Sequence, residues 1–364
     1  MESSLWQGCC LSVAVVRLTM AWFDRRKRQR DQLGFSWASR ELAYVQAAFD
    51  RNGRHQVQRF GGERQGGDSP EDFAKRLSAL GFKGRYAQIM LRPSQYQIFQ
   101  IEAPAVAPEE LRTAARYQIR DMVDVHIDDL TLDVMRVGDD VGRAINHLFV
   151  VAASNTLIRE VMGIGQAMRC TIRVIDIHDL AQRNLQSIWA RRNGDIKRAN
   201  AVLVVTDDSQ ALLTISANEE LFYTRRIDLG AGYMRGDWGD GAVQAQAAEP
   251  ELALAPAGAN VAMESGLGMS AGEADRTQRV VVEIQRSLDL WERTWPKLML
   301  GEICVYGGER SDEFARRLAR ELGQPVTAMD VSWQFPGFEG GSEADRLLCW
   351  PLLGALMRNE GRKL

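Results

Sequence analysis

The sequence predicts an α/β protein of two related lobes, each built around its own sheet. Hairpin-like strand patterns open both halves of the chain, at residues 32–48 and again at 201–216. Further strands then alternate with amphipathic helices, as in proteins whose sheets are covered by helices. With 364 residues, 45% of them hydrophobic, the chain is long enough for two domains with sizeable cores.

In the first half, two apolar stretches flank a small-residue turn at Ala38–Ser39–Arg40, which predicts the hairpin. A Gly-rich loop is predicted at 61–68, followed by a helix over 69–81 that Ser69 caps and Pro70 opens. The remaining elements are predicted in this order: strands at 86–91 and 96–104, a helix from Pro108 with Leu111, Ala115, Ile119 and Met122 at helical spacing, strands at 130–137 and 145–153, a helix at 156–168, a strand at 171–176 and a helix at 177–191.

The second half repeats this order. Its hairpin is continued by a strand at 221–230, and residues 235–275, rich in Ala, Gly and Pro, predict a disordered loop. The closing elements are predicted as a helix at 276–293, a strand at 303–308, a helix at 311–322 capped by Ser311, and a helix at 346–358.

Composition and motifs exclude several classes of function. The net charge of −3 comes without a basic stripe, which argues against nucleic acid as a partner. The five cysteines contain no CxxC pair, and the acids around His126 predict a polar loop rather than a metal site. There is no GxxxxGK[ST] motif, so the chain is not a P-loop motor, and the glycines of 266–272 have no strand before them.

The first 30 residues are predicted to be a flexible extension. Residues 9–23 are apolar but too short for a membrane helix, and Arg17 interrupts them. We expect Met20 to be the natural start, with residues 1–19 outside the native protein. The basic run 25–30 would either contact anionic lipid or remain a solvated tail.

Five stretches carry a resemblance to a known family. The run from 96 to 135 includes the pattern P-x-V-x-x-E-E-L; LFVVAAS (148–154), VEIQRSLDLWE (282–292), VYGGERSDEFARRL (305–318) and PLLGALMR (351–358) follow in order. Together they resemble the PilM/MshI family of type IV pilus assembly proteins. Within that family, the run from 96 to 135 is most similar to MshI, which serves mannose-sensitive haemagglutinin (MSHA) pili.

The resemblance implies the actin-like fold of FtsA and PilM, with a subdomain inserted in the first lobe. The first lobe would span 31–195 with the insertion at about 86–170, and the second lobe 196–345, with 346–364 returning to the first lobe. It implies a protein peripheral to the cytoplasmic face of the inner membrane. There the family binds the N-terminal tail of a PilN-like membrane protein and couples it to the assembly platform and motor.

The same resemblance implies where a nucleotide site would lie, and the family's glycines and acids are largely replaced there. Its first phosphate turn falls on 34–43, where only Gly34 and Ser39 remain and Ser36 stands in place of the family's aspartate. The second falls on 205–208, where Asp207 replaces a glycine, and an acid there repels phosphate. The vestigial site predicted in this way consists of Gly34, Ser36, Ser39, Asp207, Asp208, Ser209, Glu283, Gly307 and Gly308.

Three members of this set have other interpretations. Gly307 and Gly308 are typical of a tight strand-to-helix turn, and Glu283 would either meet a ribose or form an i,i+3 pair with Arg286. We therefore expect ATP hydrolysis to be lost, ATP–magnesium binding to be weak or absent, and no cofactor or metal to be required.

A docking role needs a peptide-binding surface instead. The resemblance implies a groove between the first lobe and its insertion, where an extended tail would bind. Candidate lining residues are Tyr96, Ile98, Leu111, Ala115 and Tyr117. For each, the alternative is ordinary packing in the core or on the surface, and for Ile98 and Leu111 that alternative is at least as strong. Tyr117 interrupts the apolar face of its helix, which favours it as a contact.

Two alternatives remain open at this stage. One is an active actin-like ATPase or sugar-kinase relative with Asp207 or Asp208 on the metal. The other is the cytoplasmic module of a type II secretion system, which usually continues into a transmembrane helix and periplasmic domain. Nothing apolar of membrane length follows residue 358, which favours the pilus branch.

Overall fold

The computed structural model describes residues 31–137, 147–193, 196–236, 238 and 271–358. The expected start at Met20, the basic run 25–30 and most of the predicted loop 235–275 lie outside the described residues. Contacts divide the chain into two units. The first contains Met1–Lys197, Thr214–Phe222 and Asp330–Leu364, and the second contains Arg198–Leu213 and Tyr223–Met329.

Strands β1 (Asp31–Ala38) and β2 (Glu41–Phe49) form the predicted antiparallel hairpin. The turn residues Ser39 and Arg40 both have positive φ, 51° and 61°, as a two-residue hairpin turn requires. The prediction of a loop at 61–68 is wrong for its first half, because β3 (His55–Arg64) pairs with β2 through that stretch.

The glycines of β3 have a packing reason. A Cβ at Gly62 would come within 2.9 Å of Leu348 Cδ2, so the strand passes closely under the C-terminal helix. Glycine in a strand often marks such a close approach rather than a loop. Helix α1 (Pro70–Ala79) follows as predicted, with Ser69 Oγ accepting from Asp72 N at 3.1 Å.

Strand β4 (Tyr86–Leu91) pairs in parallel with β1, so it belongs to the first sheet and not to the insertion. The insertion is a three-stranded antiparallel sheet with the order β5-β7-β6. It is therefore narrower than the predicted range of 86–170. Its elements are β5 (Gln97–Glu102), helix α2 (Leu111–Gln118), β6 (Leu130–Val137) and β7 (His147–Ser154).

Helix α2 buries one face against this small sheet. Leu111, Ala115 and Ile119 are at most 2% exposed and pack with Leu132 and Val150. The helix ends at Gln118, one turn before the predicted end at Met122, which is 50% exposed. The spacing of apolar residues is thus helical only as far as Ile119.

One further strand and two helices complete the part of the first unit that contains this sheet. They are α3 (Asn155–Ala167), β8 (Thr171–Ile177) and α4 (His178–Asn193). β8 pairs in parallel with β4, which gives the strand order β3-β2-β1-β4-β8.

The second sheet repeats this order as β11-β10-β9-β12-β13, with β12 parallel to both β9 and β13. Helix α5 begins within the stretch predicted as a loop. The elements of this half are β9 (Ala199–Val205), β10 (Gln210–Ala217), β11 (Glu220–Asp228), α5 (Ala271–Thr294), β12 (Leu300–Tyr306), α6 (Ser311–Leu322) and β13 (Val326–Ala328).

Helix α7 (Glu343–Leu356) closes the first unit and packs on α4 and on β1–β3. Its residues from Cys349 to Leu356 are all buried. Gly354 allows a close approach to α4, since a Cβ there would lie 1.9 Å from Ala181 O. Asn184 Nδ2 also donates to the Gly354 carbonyl at 2.9 Å. Within the described part of the chain, no helix has the length and apolar character to span a membrane.

Candidate functional site

Most of the predicted nucleotide-site residues lie near the carboxyl ends of β1 in the first sheet and of β9 and β12 in the second. Gly34 lies within β1, and Glu283 lies on α5. Ligands of open α/β sheets bind at this edge, so each unit has its own candidate site.

In the first unit, the residues of the predicted phosphate turn at 34–43 have structural contacts of their own. Ser36 is fully buried, and its Oγ accepts a hydrogen bond from Arg92 Nε at 3.3 Å. Gly34 lies under α7, where a Cβ would come within 3.2 Å of Leu356 Cδ2. Ser39 lies in the tight turn itself. Helix packing and turn geometry therefore account for both residues that the family pattern retains.

A buried polar cluster lies along the same edge. Tyr96 donates a hydrogen bond from its hydroxyl to Asp179, near the start of α4. His178 is 2% exposed, and burial together with the nearby Arg92 lowers its pKa to about 3, so the imidazole is neutral. Sequence reasoning missed this cluster. The signal was polar residues directly following an apolar strand, in the run VIDIHD at 174–179.

Asp176 and Arg358 form an ion pair within this cluster. Asp176 Oδ1 lies 3.0 Å from Arg358 Nη1, and it also accepts from Ile177 N at 2.9 Å. The Asp176 side chain is only 1% exposed. Burial raises its pKa, and the arginine opposes that shift. The pair fastens the end of α7 to the carboxyl end of β8, so this acid already has a cationic partner within the chain.

In the second unit, the hairpin after β9 uses its acids to hold its own shape. Asp207 Oδ1 accepts from Ser209 N at 2.8 Å, from Ser209 Oγ at 3.0 Å and from Gln210 N at 2.9 Å. This is an Asx-type turn, in which the carboxylate caps the following backbone. Asp208 pairs with Arg235 at 2.7 Å and accepts from Gly232 N at 3.2 Å. Both carboxylates are therefore engaged locally.

Asp207 should accordingly behave as a turn residue in mutagenesis. We expect Asp207→Ala to destabilise the protein by about 1–2 kcal/mol, because two backbone N–H groups lose their acceptor. Asp207→Asn keeps a side-chain oxygen there and should cost less than half as much. Urea unfolding of both variants measures the difference. Equal losses in both would show that the negative charge matters rather than the turn.

The strand-to-helix turn at Gly307 and Gly308 is also held by its own hydrogen bonds. Gly307 N donates to Ser311 Oγ at 2.9 Å, and that hydroxyl donates to Gly308 O at 2.6 Å. Gly308 has φ 67°, which favours glycine. A Cβ at Gly307 would come within 2.5 Å of Met234 Cε, so a neighbouring side chain already lies against the turn. Ser311 was predicted to be the N-cap of α6, but it is the first helical residue. The N-cap is Arg310.

Arg310 and Trp238 pack against each other next to this turn. The Arg310 guanidinium lies 4.0 Å from the centre of the Trp238 ring, and Nη1 donates to the carbonyls of Met234 and Gly236. Trp238 is 2% exposed and also packs against Tyr233 and Phe314. An indole, a planar bicyclic ring, thus stacks on the cation beside the glycine pair.

Glu283 makes the pair that was considered as an alternative to ribose binding. Its Oε1 lies 3.0 Å from Arg286 Nη1, and its other carboxylate oxygen pairs with Arg225. Across residues 31–137, 147–193, 196–236, 238 and 271–358, no group of three His, Cys, Asp or Glu side chains is placed to hold a metal ion.

The five predicted docking residues separate into buried and exposed ones. Tyr96, Leu111 and Ala115 are at most 3% exposed and belong to the core, so they cannot line a surface groove in this conformation. Ile98 is half-buried on β5 and packs against the core of the main sheet. Tyr117 is 73% exposed on α2. Of the five, Tyr117 alone is well exposed.

Tyr117 does not stand alone on the insertion. Val106, Met122 and Val125 are 36%, 50% and 51% exposed and lie close to it in the chain. These four exposed apolar residues all belong to the inserted subdomain and are together called the insertion patch here. Sequence reasoning missed Met122 and Val125, because Met122 continued the apolar spacing of a helix that ends earlier.

Comparison with known proteins places this fold. No protein-family model matches the sequence, and no curated protein matches it. A solved chain of the PilM–PilN type IV pilus biogenesis complex matches the structure with a TM-score of 0.61 at 15% identity, covering 90% of this chain and 99% of that chain.

Two other solved structures are more distant. The cytoplasmic domain of EpsL, from the type II secretion system of Vibrio cholerae, has a TM-score of 0.39 at 14% identity and covers 55% of this chain and 71% of that one. A Bacteroides thetaiotaomicron protein with an actin-like ATPase fold and unknown function has a TM-score of 0.46 at 10% identity, with 89% and 97% covered.

The fold is therefore the actin-like two-lobed α/β fold, as the sequence predicts. Within that class, the protein is similar to PilM in its fold.

Proposed function

We propose that this protein is a docking protein of an MSHA-like type IV pilus assembly machine and does not work as an enzyme. In this proposal it lies on the cytoplasmic face of the inner membrane and binds the N-terminal tail of a PilN-like membrane protein. The observation that carries the proposal is the match to a chain of the PilM–PilN complex over 90% of this chain and 99% of that one.

The chemistry of the vestigial site supports a role without catalysis. Asp207 accepts hydrogen bonds from the backbone of its own turn, and Asp208 forms an ion pair with Arg235. Glu283 forms ion pairs with two arginines, and the Gly307 amide donates a hydrogen bond to Ser311. A nucleotide and its metal would have to displace several of these contacts before binding. With these strand-end turns held by the chain's own contacts, the surfaces of the protein are left to carry the function.

The inserted subdomain supplies a surface for a tail. Within the described residues, β5 pairs only with β7, so its other edge has no strand partner, and an extended peptide would pair there. The insertion patch adds exposed apolar area, with Tyr117 as its largest side chain. Aromatic residues of this kind often dominate the energy of an interface.

Replacing Tyr117 with alanine should weaken binding of a PilN-like tail peptide by about ten-fold or more, since an interface aromatic commonly contributes above 1 kcal/mol. Calorimetric titration of the synthetic tail into the full chain measures this. The matched control is Leu290→Ala, at a residue that is 50% exposed in the second unit. It should leave the affinity unchanged.

Two other outcomes would count against parts of this proposal. Equal affinity of the wild type and Tyr117→Ala would remove the insertion patch from the binding site. No measurable binding of tails from any PilN-like partner to the wild-type protein would overturn the docking function itself.

A further inference from the structure

Basic residues collect at the amino ends of two neighbouring parallel strands in the first unit. Lys83 lies in the loop before β4, Arg169 in the loop before β8, and Arg173 within β8. β4 and β8 pair in parallel, and a backbone hydrogen bond from Gly84 N to Arg169 O, at 2.9 Å, joins the two loops. The fold thus brings together charges that are far apart in the sequence.

Arg59 extends this group across the sheet. It lies on β3, and its Nη2 donates to Leu80 O at 2.7 Å, where the loop before β4 begins. Its guanidinium lies 4.8 Å from the centre of the Phe82 ring, and that of Arg173 lies 3.7 Å from the centre of the Tyr86 ring. A carbonyl or an aromatic ring orients a guanidinium but leaves its positive charge in place.

Four basic side chains at this end of the first sheet are here called the basic face: Arg59, Lys83, Arg169 and Arg173. All four are exposed, and within the described part of the chain none of them forms an ion pair with a carboxylate. The stretches 73–101 and 161–175 contain no Asp or Glu. In a protein with a net charge of −3, this end of the sheet therefore has a local excess of positive charge.

Arg169 has a backbone conformation that arginine seldom adopts. Its φ is 56°, in the left-handed region where Gly, Asn and Asp are the residues usually found. The sequence thus has a long cation at an exposed turn position where glycine would be less strained. A residue held in such a conformation is a candidate for a functional role.

The sequence before β1 favours an extended anionic surface as the partner. The basic run 25–30 directly precedes β1, and β1 is parallel to β4, so β1 begins at the same end of the sheet as the basic face. A polybasic segment next to further basic side chains is typical of proteins that bind anionic lipid headgroups.

We propose that the basic face contacts the anionic headgroups of the membrane. This inference rests on the membrane-side location in the proposed function and adds which surface faces the bilayer. The inserted subdomain follows the carboxyl end of β4, whereas the basic face lies at the amino end. The lipid and the tail of the membrane protein therefore use different surfaces.

Sedimentation of the full chain with lipid vesicles tests this. Vesicles of about 30 mol% phosphatidylglycerol in phosphatidylcholine are compared with pure phosphatidylcholine, at about 50 mM and about 500 mM NaCl. The test variant, Lys83→Gln with Arg169→Asn, removes two charges, and asparagine tolerates the positive φ. The control, Lys297→Gln with Arg316→Gln, removes the same two charges at exposed side chains of the second unit.

The wild type should bind the anionic vesicles at low salt, but neither pure phosphatidylcholine nor anionic vesicles at high salt. Affinity should fall at least ten-fold in the test variant, since each basic residue near such a surface contributes about five-fold. The control should change by less than about two-fold, because its charges lie outside the basic face.

Three outcomes would overturn the proposal. They are no binding of the wild type to anionic vesicles, equal losses in the two variants, and tighter binding to a DNA duplex of about 20 base pairs than to vesicles. Titration of the PilN-like tail into the test variant separates this proposal from the docking function. The tail should bind with wild-type affinity, so a failure of vesicle binding with normal tail binding would remove the lipid contact alone.

Discussion

Replacing Gly354 with alanine is expected to destabilise the protein by about 3 kcal/mol or more. A Cβ at this position in α7 would lie 1.9 Å from Ala181 O and 2.6 Å from Ala181 C, which are backbone atoms of α4. Backbone cannot rotate aside as a side chain can, so the two helices would have to separate. Separation would also break the hydrogen bond from Asn184 to the Gly354 carbonyl.

Urea unfolding of Gly354→Ala measures this loss, and Gly163→Ala is the matched control. Gly163 is also a helical glycine, in α3, but a Cβ there meets nothing within 4 Å. Alanine at that exposed position should stabilise the protein by up to about 1 kcal/mol, through helix propensity alone. A small loss at Gly354, or the same sign at both positions, would contradict the close packing of α7 on α4.

The second large effect is a loss of stability in mild acid, caused by buried histidines. His55 is 3% exposed and packs between Phe49 and Phe335, with ring centres 4.5 and 5.4 Å away. Burial lowers its pKa to about 4. The unfolded chain, with a pKa of about 6.5, therefore binds a proton that the folded protein does not.

The sign follows from that difference in proton binding. Between pH of about 6.5 and about 4, stability falls as the pH falls, by up to about 3 kcal/mol from His55 alone. His178, whose pKa is lowered to about 3, adds a loss in the same direction. Asp176 acts oppositely, since its pKa is raised and its protonation favours the folded state.

His55→Phe isolates the first contribution, because it keeps the aromatic packing and removes the titration. The free energy of unfolding of this variant should depend less on pH between 6.5 and 4 than that of the wild type, with the Asp176 contribution common to both. His126→Gln is the control for replacing a histidine outside the core, since this side chain is 71% exposed. Parallel curves for the wild type and His55→Phe would show that His55 is not buried in its neutral form.

The fold could be predicted from the sequence wherever apolar periodicity was strong. The β1–β2 hairpin, helix α1 and the presence of strands at β4 and β8 follow from patterns of two and of 3.6 residues. The pairing of β4 with β1 and β8 does not, since residues 86–91 were predicted to belong to the insertion. Strand β3 could not be predicted in this way. Its glycines exist because α7 passes over Gly62, and that contact comes from residues almost 300 positions away. The three-residue β13 is too short to leave a pattern.

The turns of the candidate site could be placed from the sequence, but the contacts of their side chains could not. The turns at Asp207 and Gly307 lie at strand ends, as the resemblance implies. Sequence alone did not reveal that Asp207 caps its own turn or that Trp238 stacks on Arg310, because those contacts depend on side-chain geometry. Tyr96 and Leu111 illustrate the opposite failure, since both were candidates for a surface and lie in the core.

Calorimetry of Mg·ATP binding tests the central claim most directly, because the claim is that the chain's own groups occupy an actin-like nucleotide site. With the full-length protein and about 5 mM Mg·ATP, we predict no saturable heat and no shift in Tm. Binding with a Kd near 50 μM would place that concentration at about 100 times Kd and stabilise the protein by about 2.7 kcal/mol, a shift of several degrees. A saturable heat accompanied by such a shift would contradict the account.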